Sequence, residues 1–234
     1  MQEAYHKWYS PVIGRDMEML VFGHSGRPVI LFPSSMGKYY EAKDRGLIQS
    51  AEWFISNGFV KIYCPDSIDA DSWYNKNAHP GTRAYNHVLY DKIIYEEVMA
   101  RALYETGWHT VTTAGCSFGG YHAANFAFRH PEKVHAMLSM SGAFDIQSQV
   151  DGYFDDNVYY NNPVDYLPDD NNEWLWKMRI ILGTSYPDIC LAQNERLAQI
   201  LSQKNIPYWL DIRGDMPHDW PAWNEMFPHY LSVL

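Results

Sequence analysis

Gly115-Cys116-Ser117-Phe118-Gly119 places one serine between two glycines, fitting the pattern G-x-S-x-G. A β-rich run, "TVTTAG", precedes it and a helix-forming run, "FGGYHAANFAFRH", follows. That context describes a sharp strand-to-helix turn, in which glycines stand where a Cβ would clash and the serine hydroxyl projects at the carboxyl end of a sheet. A serine hydroxyl is a weak nucleophile at neutral pH, so the chemistry needs a histidine base, itself oriented by a carboxylate. In a turn of this kind the acid and then the histidine follow the serine in the chain.

Five histidines follow Ser117. His122 and His130 lie on the helix of the turn, His135 begins a strand, and His229 lies within the last helix. His218, in the loop "RGDMPHDW" between the last strand and the last helix, is the one placed to reach back over Ser117. Asp188, in "TSYPDICL", follows a strand and leaves room for one helix and one strand before His218. It could instead cap the helix that begins nearby. Asp145, in "SGAFD", is the competing acid.

Elements of alternating type must position these residues. Strands are expected over 16–23, 28–33, 59–64, 110–115, 134–142, 176–183 and 206–214. Helices are expected over 44–58, 85–105, 118–130, 190–205 and 220–231, with Asn57-Gly58 and Gly107 as left-handed ends. The alternation predicts a mostly parallel sheet with helices on both faces, in one domain spanning 1–234. Residues 143–175, rich in Asp, Asn, Pro and aromatics, form a longer connection than a crossover needs and read as a lid or substrate-binding segment.

Composition narrows the function classes. Eighteen Lys and Arg against 28 Asp and Glu give a net charge of −10, so nucleic acid is not an expected partner. No run approaches the roughly 18 apolar residues of a membrane span, and the first residues lack a signal-peptide pattern, so a cytoplasmic protein without a membrane partner is expected. Three widely spaced cysteines, Cys64, Cys116 and Cys190, argue for buried thiols rather than a disulfide framework or zinc site. The acidic residues of 151–170 match no calcium loop, and no metal or organic cofactor is expected.

"GCSFGGYHAANFAFRHPEKV", "LSMSGAFD", "ILGTSYPDICLAQNERLAQIL" and "MPHDWPAWNEMF" together resemble the esterase branch of the α/β-hydrolases, which includes esterase D, S-formylglutathione hydrolases and feruloyl esterases. The resemblance implies an α/β-hydrolase fold of about eight strands with an antiparallel first hairpin. It also implies Ser117 as nucleophile, His218 as base and Asp188 as orienting acid. The amide of Phe118 is then one oxyanion donor, and the loop after "VILF" supplies a second. Relatives carry His-Gly in that loop, whereas this chain reads Pro33-Ser34-Ser35-Met36-Gly37. Proline has no amide hydrogen, and Ser35 is the choice, with Ser34 and Met36 close behind.

Trp73, Tyr74, Tyr159 and Tyr160 are candidate substrate contacts, since aromatics lining a cleft would suit an aryl or sugar-bearing ester. The activity expected is serine-dependent hydrolysis of a small-molecule carboxylic ester. Acyl transfer by the same triad and a non-catalytic binding protein on the same fold are the alternatives. The sequence leaves open whether the chain forms a homo-oligomer.

Overall fold

A computed structural model describes residues 1–234. β1 (Glu3–Ser10) and β2 (Arg15–Phe22) form an antiparallel hairpin whose turn ends on Gly14, at φ 66°. β1 is a strand the apolar pattern hides. It lies at the sheet edge, and none of its residues except Ser10 is buried. Trp8 and Ser10 nevertheless donate to Glu97 at 2.6 and 2.8 Å, which ties the edge to a helix beneath.

β2 and β3 (Arg27–Phe32) follow each other in sequence but do not pair. β4 (Val60–Pro65) lies between them, antiparallel to β2 and parallel to β3. β5 (Val111–Cys116), β6 (Val134–Met140), β7 (Arg179–Ser185) and β8 (Trp209–Arg213) extend the sheet in parallel. The order is β1-β2-β4-β3-β5-β6-β7-β8, the eight-stranded, mostly parallel sheet expected of an α/β-hydrolase fold. β3, β4, β5 and β6 are almost wholly buried, because apolar layers cover both faces and their sequences are near-continuous apolar runs.

The helix expected over 44–58 is three short ones: α1 (Glu41–Asp44), α2 (Leu47–Ser50) and α3 (Glu52–Ser56). Gly46, left-handed at φ 82°, breaks the run between the first two. The helix expected over 85–105 begins earlier, at Pro80, which occupies the first-turn position where its missing N–H costs nothing. It runs as α4 (Pro80–Ile93), a π-helical stretch Ile94–Met99, and α5 (Ala100–Thr106), closed by left-handed Gly107. α6 (Phe118–Arg129), α10 (Leu191–Gln203) and α11 (Trp220–Leu231) fall close to their expected places. Between β6 and β7 come α7 (Gln147–Val150), α8 (Asp156–Tyr159), α9 (Pro163–Tyr166) and a 3-10 turn, Glu173–Lys177.

α4 to α6, α9 and α10 contribute to a core of 34 buried residues on one face of the sheet. α1 to α3 and α11 contribute to a second core of 23 on the other. The three cysteines are buried free thiols, and no helix is long and apolar enough to cross a membrane.

Glu105 pins α5 to β4, accepting from Lys61 at 2.8 Å, Arg101 at 2.7 Å and Tyr63 at 2.9 Å. Burial pushes its carboxyl up, but these three donors outweigh burial and hold it at about 2. The unfolded value is about 4.3. A depressed carboxylate adds stability that is complete above the unfolded value and lost as pH falls through the folded one. The advantage of wild type over Glu105→Gln in urea denaturation should therefore be constant from about pH 6 to 8 and shrink below about pH 4. A difference that does not change with pH would contradict this.

Candidate active site

The turn from β5 into α6 forces Ser117 to φ 55° and ψ −122°, a conformation that a side chain normally avoids. The glycines around it make this turn possible. A Cβ on Gly115 would strike the carbonyl of Gly119, and one on Gly119 would lie 2.6 Å from the carbonyl oxygens of Phe32 and Pro33. The Ser117 amide donates to Met140 O at 2.9 Å, fastening the turn to β6.

β3, β5, β7 and β8 are parallel, so the loops that follow them open at one edge of the sheet. That topology brings together residues distant in sequence. His218 Nε2 lies 2.9 Å from Ser117 Oγ, and His218 Nδ1 lies 2.8 Å from Asp188 Oδ1. Ser117 and His218 are half-buried and Asp188 is buried.

Asp188 Oδ1 also accepts at 2.7 Å from the amide of Cys190, the residue just before α10. Of the two roles weighed from sequence, Asp188 takes the histidine pairing, while the N-cap position of α10 falls to Cys190, which makes no side-chain cap bond. Burial raises the Asp188 carboxyl, yet His218, the Ser141 hydroxyl and the Cys190 amide outweigh it and hold it below the usual carboxylate range. The group stays ionised at neutral pH. Asp145 is engaged elsewhere, accepting from Arg196 at 2.7 Å.

The His218 loop is held from two sides. Ser185 Oγ donates to Met216 O, and the imidazole stands edge-on to Trp223 with ring centroids 5.1 Å apart. Trp223 Nε1 donates to Ser141 Oγ at 2.9 Å, linking α11 to the polar group that faces Asp188. Asp219 begins α11 through the Trp220 amide at 2.7 Å.

The Pro33–Gly37 loop lies beside Ser117 because β3 is the sheet neighbour of β5. The Ser34 amide donates to Glu41 at 2.8 Å and the Met36 amide to Asp69 at 2.9 Å. Neither the Ser35 amide nor the Phe118 amide has an acceptor within the protein. Tyr74 adjoins both: its hydroxyl donates to Ser35 Oγ at 2.8 Å and its ring stands edge-on to Phe118 at 5.2 Å.

The other aromatic candidates are placed differently. Trp73, expected to line a cleft, is fully buried and donates to Tyr121 OH at 3.1 Å, so it packs beneath α6 and cannot meet a ligand. Tyr160 O accepts from Arg129, the last residue of α6, at 2.7 Å. A 12-residue helix is about 18 Å long. Tyr159 and Tyr160 therefore line a cavity of about 560 Å³ with Arg129 and Asp169 at the far end of that helix from Ser117. They were expected at the site because the connection's length hides where it folds back.

Asp188, Cys190 and His218 offer ligand atoms within 4.8 Å of one another. Both His218 nitrogens are already committed, to Asp188 and Ser117, and burial pushes the Cys190 thiol up to about 12, so it stays protonated. They fit a hydrogen-bonded relay better than a metal.

Trp223 supports the His218 loop, as its spacing with Trp220 on the last helix suggests, whereas sequence reasoning missed Glu41, Asp69 and Ser141 as supports of the site. A buried polar residue at a loop edge looks like any solvated one until its partner is seen.

A family model for the alpha/beta hydrolase fold matches residues 76–175. No curated protein matches the sequence. Among solved structures, a ferulic acid esterase superposes with TM-score 0.79 at 17% identity, over 99% of this chain and 97% of its own. An S-formylglutathione hydrolase from Staphylococcus aureus gives 0.75 at 18%, covering 99% and 96%. Another from Agrobacterium tumefaciens gives 0.79 at 13%, covering 99% and 93%.

Gly119→Ala should destabilise the protein by more than about 2 kcal/mol, because the obstacles are backbone carbonyls that cannot rotate away. Gly214→Ala, where a Cβ meets nothing within 4 Å, is the control and should stay within about 0.5 kcal/mol. Equal thermal stability of the two variants would refute the packing argument.

Proposed function

We propose that this chain, which has the α/β-hydrolase fold, is a serine-dependent carboxylic ester hydrolase. The observation that carries this reading is the continuous hydrogen-bonded path from Ser117 through His218 to Asp188 at a strained strand-to-helix turn. The fold's likeness to esterases and thioester-type hydrolases supports it.

In the proposed reaction Ser117 Oγ attacks the ester carbonyl while its proton passes to His218 Nε2. Asp188, kept ionised, orients the imidazole through Nδ1 and stabilises its positive charge. Charge gathers on the carbonyl oxygen. The two amides left without acceptors, Phe118 and Ser35, are assigned to receive it. Ser34 and Met36 were close alternatives, but their amides serve Glu41 and Asp69. Collapse of the tetrahedral species breaks the bond to the alcohol, which leaves with the proton from His218. Water then loses a proton to His218 and attacks the acyl-serine, and the acid departs as Ser117 recovers its proton.

Tyr74 is assigned as a contact for the substrate beside the Ser35 donor. No step calls for a metal or organic cofactor. Replacing water by another alcohol or a thiol in the second half would make the same site an acyltransferase, and added acceptor in the assay separates the two.

Hydrolysis of p-nitrophenyl esters from acetyl to octanoyl, together with a feruloyl ester, tests the proposal. Ser117→Ala and His218→Ala should each lower kcat by at least about 10⁴-fold while leaving the protein folded. Asp188→Asn should cost about 10³- to 10⁴-fold through the wrong imidazole tautomer. Turnover that survives in Ser117→Ala would sink the mechanism. A folded wild type that neither turns over these esters nor is labelled at Ser117 by a fluorophosphonate would point to a binding protein instead.

A further inference from the structure

Which amide of the Pro33–Gly37 loop faces Ser117 depends on where the loop's other amides are fastened. One fastening is local, from Ser34 to Glu41 seven residues on, where the Ser34 hydroxyl also donates at 2.8 Å. The other reaches across the molecule. Met36 N donates at 2.9 Å to Oδ2 of Asp69, which is 1% exposed and follows β4. Met36 itself has φ 59°, a left-handed conformation that a residue with a side chain keeps only when its surroundings hold it.

The second oxygen of Asp69, Oδ1, lies 3.0 Å from His122 Nε2. His122 is 2% exposed and sits on α6, five residues after Ser117. Its ring stacks on Phe32, the last residue of β3, at 5.8 Å, and stands edge-on to Phe118 at 5.0 Å. One buried carboxylate therefore joins the helix that presents the Phe118 amide to the loop that presents the Ser35 amide.

We propose that Asp69 and His122 are a positioning pair that clamps the Pro33–Gly37 loop to α6 and so sets the spacing of the Ser35 and Phe118 amides. The consequence for catalysis rests on the reading of those amides as the oxyanion donors. Such donors act only within about 2.7–3.1 Å of the developing charge, so a small slip of the loop costs rate and leaves ground-state binding nearly intact.

The proton inventory makes the pair testable. With a proton on Nε2, His122 donates to Oδ1, and its Nδ1 is buried without a partner. In Asp69→Asn the amide oxygen can keep the Met36 N–H while the amide nitrogen donates to Nε2, provided the His122 proton moves to Nδ1. That variant conserves both links. Asp69→Ala removes both, and His122→Phe keeps the aromatic packing and removes only the link to α6.

The experiment measures kcat and KM on the best ester, inhibition by a trifluoromethyl ketone analogue, and hydrogen exchange in the peptide containing residues 33–37. For Asp69→Ala we expect kcat to fall about 10²-fold with KM changed less than about threefold, and ketone affinity to fall in parallel with kcat. Loop exchange should quicken. Asp69→Asn should recover most of the lost kcat and the slow exchange. If Asp69→Ala does not fold, His122→Phe carries the same readouts. Loop exchange unchanged from wild type in the broken variants would overturn the clamp, as would equal losses in Asp69→Asn and Asp69→Ala. A wild type lacking Ser117-dependent hydrolysis would overturn the esterase reading alone, because exchange that quickens only in the broken variants would still uphold the clamp.

Discussion

The left-handed backbone of Ser117 is the constraint on which the rest of the site depends. Conformations of this kind cost about 1–3 kcal/mol and persist only where neighbouring structure over-determines them. Here the neighbours are the close approach of Gly119 to the carbonyls of Phe32 and Pro33 and the Ser117 amide bonded to β6. The strain lifts the hydroxyl clear of the strand. It also brings the first amides of α6 to the same edge, where the helix dipole favours negative charge.

Around that turn, each polar group has a defined role in holding its neighbour. Asp188 accepts from both His218 and the Cys190 amide, so the carboxylate that orients the imidazole is itself fixed by the fold. Trp223 ties α11 to Ser141 and supports the face of His218. The amides of Ser34, Met36 and Ser117 each have an acceptor within the protein, while those of Ser35 and Phe118 do not. Unpaired amides beside Ser117 are costly unless a ligand or water meets them, which makes their location informative.

Much of the architecture was legible because it rests on local signals. Glycine spacing around Ser117, left-handed Gly58 and Gly107 at helix ends, and the apolar runs of the central strands each report their own neighbourhood. β1 escaped notice because an edge strand has little to bury, and 44–58 was read as one helix because the breaks at Gly46 and Ala51 leave the apolar spacing undisturbed. Trp73, Tyr159 and Tyr160 were misplaced for a different reason. Aromatic composition identifies large apolar surface, but whether that surface meets core, cavity or ligand depends on how the connection folds back over α6.

The sequence by itself determined the strand-to-helix turn with its serine and the parallel α/β class, since each follows from backbone sterics or apolar periodicity over a few residues. Only the tertiary structure decided that Asp188 rather than Asp145 meets His218, that the Ser35 amide is the one left free, and that Asp69 bridges His122 to Met36. Those outcomes depend on hydrogen bonds a few ångströms long between residues tens of positions apart, and sheet order, which sets such distances, is a property of the whole chain.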